Sequence, residues 1–303
     1  MEIIFPMTTS TTHTLLSADF LRRLERIAIQ ARTAQLGLTK GERKSKRKGV
    51  STDFADYRDY VQGDDLRFVD WNIFGRLDAL YLKIFQDYED LTVHLLIDAS
   101  KSMDFGTPKK IEFACQLAAA IGYIALCGLD RVTIEVFNGN APQVFPPSRG
   151  KAFTGQMFSF LQNLSADGQT HLEQSCRSHF IRSRAKGVVI LMTDFFDPAG
   201  YEGCLRQLST SGSDLYAVHI LAPEEMDPPL LGDLRLIDSE TDAYTEISVS
   251  RALMKEYRKN REGFCESIRR HCMARGIGYL LAPSNTPFEQ LVLGGLRRGG
   301  LLK

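Results

Sequence analysis

Asp98, Ser100 and Ser102 follow one another at steps of two, directly after the apolar run "LTVHLLI". On an extended segment, residues two apart point to the same side. One carboxylate and two hydroxyls therefore converge at the end of a strand. Two later positions complete an all-oxygen set: Thr170 in "DGQTHLE", and Asp194 at the end of "GVVILMTD". Hard oxygen donors without His or Cys disfavour zinc and favour Mg²⁺, with Mn²⁺ as the alternative. Magnesium takes six ligands at about 2.1 Å and keeps water readily. Three hydroxyls could bind it directly and two carboxylates directly or through water, which leaves at least one position open. A carboxylate from another molecule is the natural occupant. The plainer reading is a side-chain-stabilised turn into a helix. Thr170 and Asp194 would then be helix caps, with Glu173 completing a capping box. The two roles can coexist. His171, beside Thr170, reads as a helix-start residue rather than a ligand.

The elements that position these groups are regular from about residue 91. "LTVHLLI", "RVTIEVF", "GVVILMT", "DLYAVHIL" and "IGYLLA" read as strands, and Gln143 to Phe145 as a short edge strand closed by Pro146 and Pro147. "PKKIEFACQLAAAIGYIALCGL", "GKAFTGQMFSFLQNL", "THLEQSCRSHFIRS", "GYEGCLRQLS" and the long "SRALMKEYRKNREGFCESIRRHCMARG" read as helices, the last capped by Ser250 and stopped by Gly276. "LRLIDSETDAYTEISV" is a hairpin-like insert. This alternation implies an α/β domain over 88–303 with a doubly wound, mostly parallel sheet flanked by helices, whose ligands sit beyond the carboxyl ends of the strands. Residues 1–87 form the other expected part. They comprise a helix from Ser17, with Phe20, Leu21, Leu24, Ile27, Ala28 and Ala31 on one face, and a charged, aromatic stretch ending in the strand-like "LYLKIF".

Composition narrows the function classes. The 303 residues carry 37 basic and 37 acidic side chains, so net charge points to neither nucleic acid nor membrane. The basic run "KGERKSKRKG" is expected to be a solvated loop; nucleic-acid binding through 40–48 is the alternative. "MEIIFPM" lacks the basic start and longer apolar core of a secretory signal. The run "LAAAIGYIALCGL" is too short to span a bilayer. A cytoplasmic location and six free, mostly buried thiols are therefore expected.

Asp98-x-Ser100-x-Ser102 with Thr170 and Asp194 resembles the complete metal-ion-dependent adhesion site of the von Willebrand factor A family. There, five such residues from three loops hold an ion capped by a partner's Glu or Asp. Upstream, "YRDYVQGDDLRFVDW" resembles the signature of the DUF58 family. It is carried by Arg58, Tyr60, Gly63, Asp64, Asp65, Arg67, Asp70 and Trp71, then Arg76, Lys83 and Glu89; Ser45 resembles the preceding Ser. Asp53-Phe54 stands where Glu-Phe is usual, and Gly75 where Ala is usual. The resemblance covers roughly 35 to 300. It implies a partner of MoxR-type AAA+ ATPases, acting as an adaptor or chaperone-like factor.

Two readings of the signature stay open. Asp64, Asp65 and Asp70 against Arg58, Arg67 and Arg76 suit an internal ion-pair and turn network, with Trp71 as a core anchor. Alternatively Arg58, Tyr60, Asp64, Asp65, Arg67, Asp70, Trp71 and Arg76 form a partner-docking surface. The expected function is a non-enzymatic, metal-dependent protein-interaction module. The chain shows no Ser-His-Asp or Cys-His pattern, no obvious general base and no G-x-x-x-x-G-K-[ST] loop. The competing class is a Mg²⁺-dependent phosphohydrolase with Asp98 as nucleophile. Such enzymes need a second Asp two residues on, where this chain has Ser100. Partner identity and oligomeric state are not readable.

Overall fold

The computed structural model describes residues 15–29, 54–85, 91–138, 142–169, 171–182, 187–229, 232–237, 244–297 and 299–302. The chain groups into two units, one of 36–90 and one of 1–35 with 91–303.

The larger unit is built on a six-stranded sheet. Its strands are β3 (Thr92–Asp98), β4 (Arg131–Phe137), β5 (Gln143–Arg149), β6 (Gly187–Thr193), β7 (Asp214–Leu221) and β10 (Gly278–Pro283). Across the sheet the order is β10-β7-β6-β3-β4-β5. All neighbours are parallel except β5, which runs antiparallel to β4 at the edge. The chain leaves β3 toward β4 on one side and later returns to pair β6 on the other. The carboxyl ends of β3 and β6 thus flank the switch point where doubly wound sheets bind ligands.

Period-two alternation divides the core between the two faces. Val93, Leu95 and Ile97 of β3 join one cluster, while Leu96 joins the other. The first face is covered by α1 (Ala18–Leu24), α3 (Lys110–Cys127), α4 (Thr154–Gln162) and the C-terminal turn Leu291–Leu296. The second is covered by α5 (Leu172–Arg182), α6 (Glu202–Ser209) and α8 (Arg251–Met273). Because both faces are covered, β3 is buried along its whole length. Among the described residues, α3 alone has the length and hydropathy to cross a membrane, and 83% of it is buried in this core. The hairpin-like insert is the antiparallel pair β8 (Gly232–Ile237) and β9 (Tyr244–Val249). A four-residue helix, α7 (Pro223–Met226), follows β7.

Several expectations are corrected. The N-terminal helix groups with the larger unit rather than with the signature region. Ser17 caps it as expected, but the helix ends at Leu24: Phe20 and Leu24 bury its apolar face, Ile27 enters the core beyond its end, Ala28 is exposed, and Ala31 lies outside the described residues. Strand β5 runs through Pro146 and Pro147 to Arg149. An edge strand tolerates missing N–H donors, and the pairing shifts register between Val132 and Ile134 opposite it. The cysteines are not all free. Cys176 of α5 and Cys204 of α6 are joined in a disulfide, their Cα atoms 5.5 Å apart, because these two helices pack side by side.

The smaller unit pairs β1 (Phe54–Asp59) antiparallel with β2 (Tyr81–Phe85). Between them, α2 (Trp71–Leu77) is capped by Asp70, whose carboxylate accepts from the N–H groups of Asn72 and Ile73. Asp78 closes the helix in a left-handed conformation, φ 50°.

Candidate functional site

Asp98 is the last residue of β3, fully buried. Beyond it the backbone remains tied to neighbouring strands and loops. The Ala99 N–H donates to the Phe137 carbonyl, 2.8 Å, and the Ala99 carbonyl accepts from the Asp167 N–H, 2.8 Å. The Lys101 N–H donates to the Gly168 carbonyl, 2.9 Å. Ser100 then starts a short 3₁₀ turn, Lys101–Asp104, anchored by buried Met103. Gly106 has φ +93°, and a Cβ there would approach the Ala222 Cβ to 2.5 Å. Only glycine lets the chain pass between the site and the β7 end at this point.

The expected oxygens converge. Ser100 Oγ lies 3.0 Å from Ser102 Oγ, and the Ser102 hydroxyl donates to Asp194 Oδ2 at 2.9 Å. Asp98 is held on both oxygens: Oδ1 accepts from the Ser100 N–H at 3.0 Å, and Oδ2 from the Thr193 hydroxyl at 2.6 Å. Asp194 Oδ1 accepts from the Phe196 N–H, 3.0 Å. Between them Phe195 takes φ 61°, rare for a bulky residue. This turn swings Asp194 toward Ser102 as the chain leaves β6. Thr170 lies outside the described residues. The Leu172 N–H just after it donates to Asp197 Oδ2, 2.7 Å, so Asp197 supplies the cap at the start of α5.

Two further groups belong to the site. The Lys110 ammonium, fully buried, donates to Asp194 Oδ2 at 2.7 Å and to Glu225 Oε1 at 2.6 Å. It also stands 5.2 Å from the centroid of the Phe196 ring. Lys110 is the first residue of α3, and Glu225 lies on α7. The position of Lys110 at the first turn of a helix aimed at the strand ends was the available sequence signal. Adjacent Lys109 instead faces Asp104 at the surface.

The electrostatics follow from burial. Asp98 is pushed up to about 7, first by its burial and then by the neighbouring Asp194 carboxylate, against the hydrogen bonds from Thr193 and Ser100. Burial opposes the charge on Lys110, but Asp194 and Glu225 outweigh it and hold the ammonium above its ordinary value. Burial also lowers His219 to about 4; its Nδ1 is 2.9 Å from the Tyr279 hydroxyl.

The donor set fits a small hard cation. An octahedral magnesium shell with oxygens at about 2.1 Å has adjacent oxygens about 3.0 Å apart. The Ser100–Ser102 and Ser102–Asp194 oxygen pairs stand at 3.0 and 2.9 Å. Two like-charged buried carboxylates also favour a cation between them. Among the described residues, no group of three or more His, Cys, Asp or Glu is arranged to hold a metal; the set depends on its hydroxyls.

The signature residues from Arg58 to Arg76 belong to the smaller unit. Arg58 pairs with Asp64 at 2.7 Å and Arg67 with Asp65 at 2.6 Å. Asp70, besides capping α2, accepts from the Tyr57 hydroxyl at 3.0 Å. Tyr60 donates its N–H to the Leu80 carbonyl, 3.0 Å. Two of the expected ion pairs, Arg58–Asp64 and Arg67–Asp65, are therefore present, at the surface rather than internal, and Trp71 is no core anchor. It is 58% exposed, and Val61, Leu66, Phe68, Phe74 and Leu77 are exposed with it. A seven-residue helix flanked by a short strand pair is too small to enclose them. Arg76, also exposed, lies in the last turn of the same helix.

A family model described as "Protein of unknown function DUF58" matches residues 56–264. "Uncharacterized protein Rv1480" of Mycobacterium tuberculosis is 25% identical over 226 residues, which is 73% of this chain and 71% of that protein. Two solved structures are similar. The conserved hypothetical protein BatB from Bacteroides thetaiotaomicron is 15% identical, covers 69% of this chain and 98% of its own, and has a TM-score of 0.42. The SpRpn10 VWA domain is 11% identical, covers 67% and 93%, and has a TM-score of 0.39.

Proposed function

The chain belongs to the DUF58 family, and on that premise we propose that it is a non-enzymatic protein-interaction module whose site accepts a partner's carboxylate through a divalent cation. The observation that carries this reading is the convergence of Asp98, Ser100, Ser102 and Asp194 at the switch point of the sheet. Ser100, Ser102 and Asp194 would hold Mg²⁺ or Mn²⁺, with Thr170 as a further ligand. The ion supplies an electrophilic position that neutral hydroxyl ligands do not quench. Asp98 positions Ser100 through its backbone N–H and contributes negative potential. Thr193 fixes the Asp98 carboxylate from β6.

The same hydrogen bonds disfavour Asp98 as a phosphatase nucleophile. It is buried, and both of its oxygens are engaged. A nucleophile needs a free oxygen facing its substrate.

The partner proposed from the family resemblance is a MoxR-type AAA+ ATPase in the cytoplasm. The exposed apolar residues around Trp71, with the signature arginines and aspartates, offer it a second contact surface. The test is binding of purified, full-length protein to a MoxR-type ATPase from the same genome. It is run in Mg²⁺ and in EDTA, with wild type and Asp98→Ala. Complex formation only by wild type in Mg²⁺ is the expected result. Equal binding in all four conditions sinks the metal-dependent reading.

A further inference from the structure

We infer that Lys110 is the built-in counter-charge of this site and sets its affinity for divalent cations. Its ammonium neutralises part of the carboxylate charge and repels any cation bound beside it. The inference rests on the metal-binding reading above and goes beyond it to the residue that tunes that binding.

Three observations carry it. First, Lys110 is fully buried with its ammonium shared between Asp194 and Glu225, at 2.7 and 2.6 Å. Lysine is almost never fully buried unless paired. Asp194 Oδ2, which it touches, is also the oxygen that accepts the Ser102 hydroxyl. The ammonium and the candidate ligands therefore share one atom.

Second, Lys110 opens helix α3. A helix N-terminus carries partial positive charge and favours anions. A cation there does not serve the helix, so the carboxylates must account for its position. Local rules broken in this way mark functional sites more often than scaffolding.

Third, the charges suit a divalent ion. Asp194 and Glu225 hold the single ammonium of Lys110, and Asp98 is buried at the same strand ends. The carboxylates outnumber the ammonium, and a cation bound beside them offsets the excess. Removing Lys110 adds a negative charge, and neutralising Glu225 removes one. The two changes must then move cation affinity in opposite directions. An ion pair that only braces α3 against β6 and α7 would lose stability in both variants and shift affinity in neither.

The experiment titrates Mn²⁺ alone into the full-length protein and follows free Mn²⁺ by electron paramagnetic resonance. It uses wild type, Asp98→Asn, Lys110→Met, Glu225→Gln and the double variant Lys110→Met/Glu225→Gln. Lys110→Met is expected to bind roughly tenfold tighter or more, and Glu225→Gln roughly tenfold weaker. The double variant should return near wild type, and Asp98→Asn should lose the site. Unchanged affinity in Lys110→Met and Glu225→Gln, with Asp98→Asn still defective, overturns the role of Lys110 and leaves the metal site standing. Weaker binding by folded Lys110→Met also overturns it. If Lys110→Met does not fold, the isosteric Glu225→Gln variant decides alone. Wild type and Asp98→Asn binding Mn²⁺ alike, or no protein binding it, removes the metal reading and this inference together. Binding by Lys110→Met only would keep the competitor role and make Lys110 the resting occupant of the site.

Discussion

The two units place their residues in opposite ways. The larger unit buries charge: Asp98, Asp194 and Lys110 are fully enclosed at the strand ends, each with partners. The smaller unit exposes apolar surface, with Trp71 at 58% and Leu77 at 67% exposure, while its charged residues pair with each other. Burying charge is costly unless it is paired and hydrogen-bonded, and leaving large apolar groups in water forgoes the main driving force of folding. Each region thus departs from the usual distribution in its own direction, and both departures suit binding. One gathers paired charge at the strand ends, and the other leaves apolar side chains in water.

The comparison can be broken by measurement. The largest stability effect is expected from Asp194→Ala, which leaves the buried Lys110 ammonium facing only Glu225. Removing one member of a buried pair costs about 3–5 kcal/mol, readable in urea denaturation. A loss below about 1 kcal/mol, the range of exposed ion pairs, would mean that water reaches the site.

Next comes the ion. Mg²⁺ at a hundred times its Kd should stabilise the wild type by about 2.7 kcal/mol. Ser102→Ala, which removes the hydroxyl between Ser100 and Asp194, should lose most of that gain. Equal gains in both proteins would place the ion elsewhere.

In the smaller unit, Asp70→Ala removes the cap of α2. It should cost about 1 kcal/mol, seen as faster amide exchange over Trp71–Leu77. The smallest stability change is expected from Trp71→Ala, within about 0.5 kcal/mol for an exposed side chain. The same substitution should weaken binding to the ATPase partner by about 2 kcal/mol if Trp71 is an interface anchor. A large stability loss with no change in binding would return Trp71 to a structural role.

Local pattern made much of this legible. The step-two spacing of Asp98, Ser100 and Ser102 needs only an extended strand to converge, and β3 provides it. Strand alternation and the caps at Ser17 and Ser250 are likewise short-range, with Ser250 accepting from the Leu253 N–H. Lys110 and Glu225 were not legible as a pair. They stand 115 residues apart, and Lys110 meets Asp194 across 84. In "PKK", the phase of α3 decides that Lys110 turns inward and Lys109 outward, and nothing in the dipeptide distinguishes them. The Cys176–Cys204 bond likewise depended on two helices lying side by side. The exposure of Trp71 is not readable from its neighbours, because an aromatic residue in a charged stretch suits a core anchor and a docking surface equally until the size of the surrounding unit is known.

By itself, then, the sequence determined the alternating elements, the doubly wound sheet and the strand-end oxygens, because these rest on hydrogen-bond periodicity and side-chain alternation over a few residues. Tertiary structure alone decided which cation sits beside Asp194, which cysteines meet and which aromatic residues remain in water. Those outcomes depend on how helices and loops far apart in the chain pack, and packing is a property of the assembled core rather than of any local stretch.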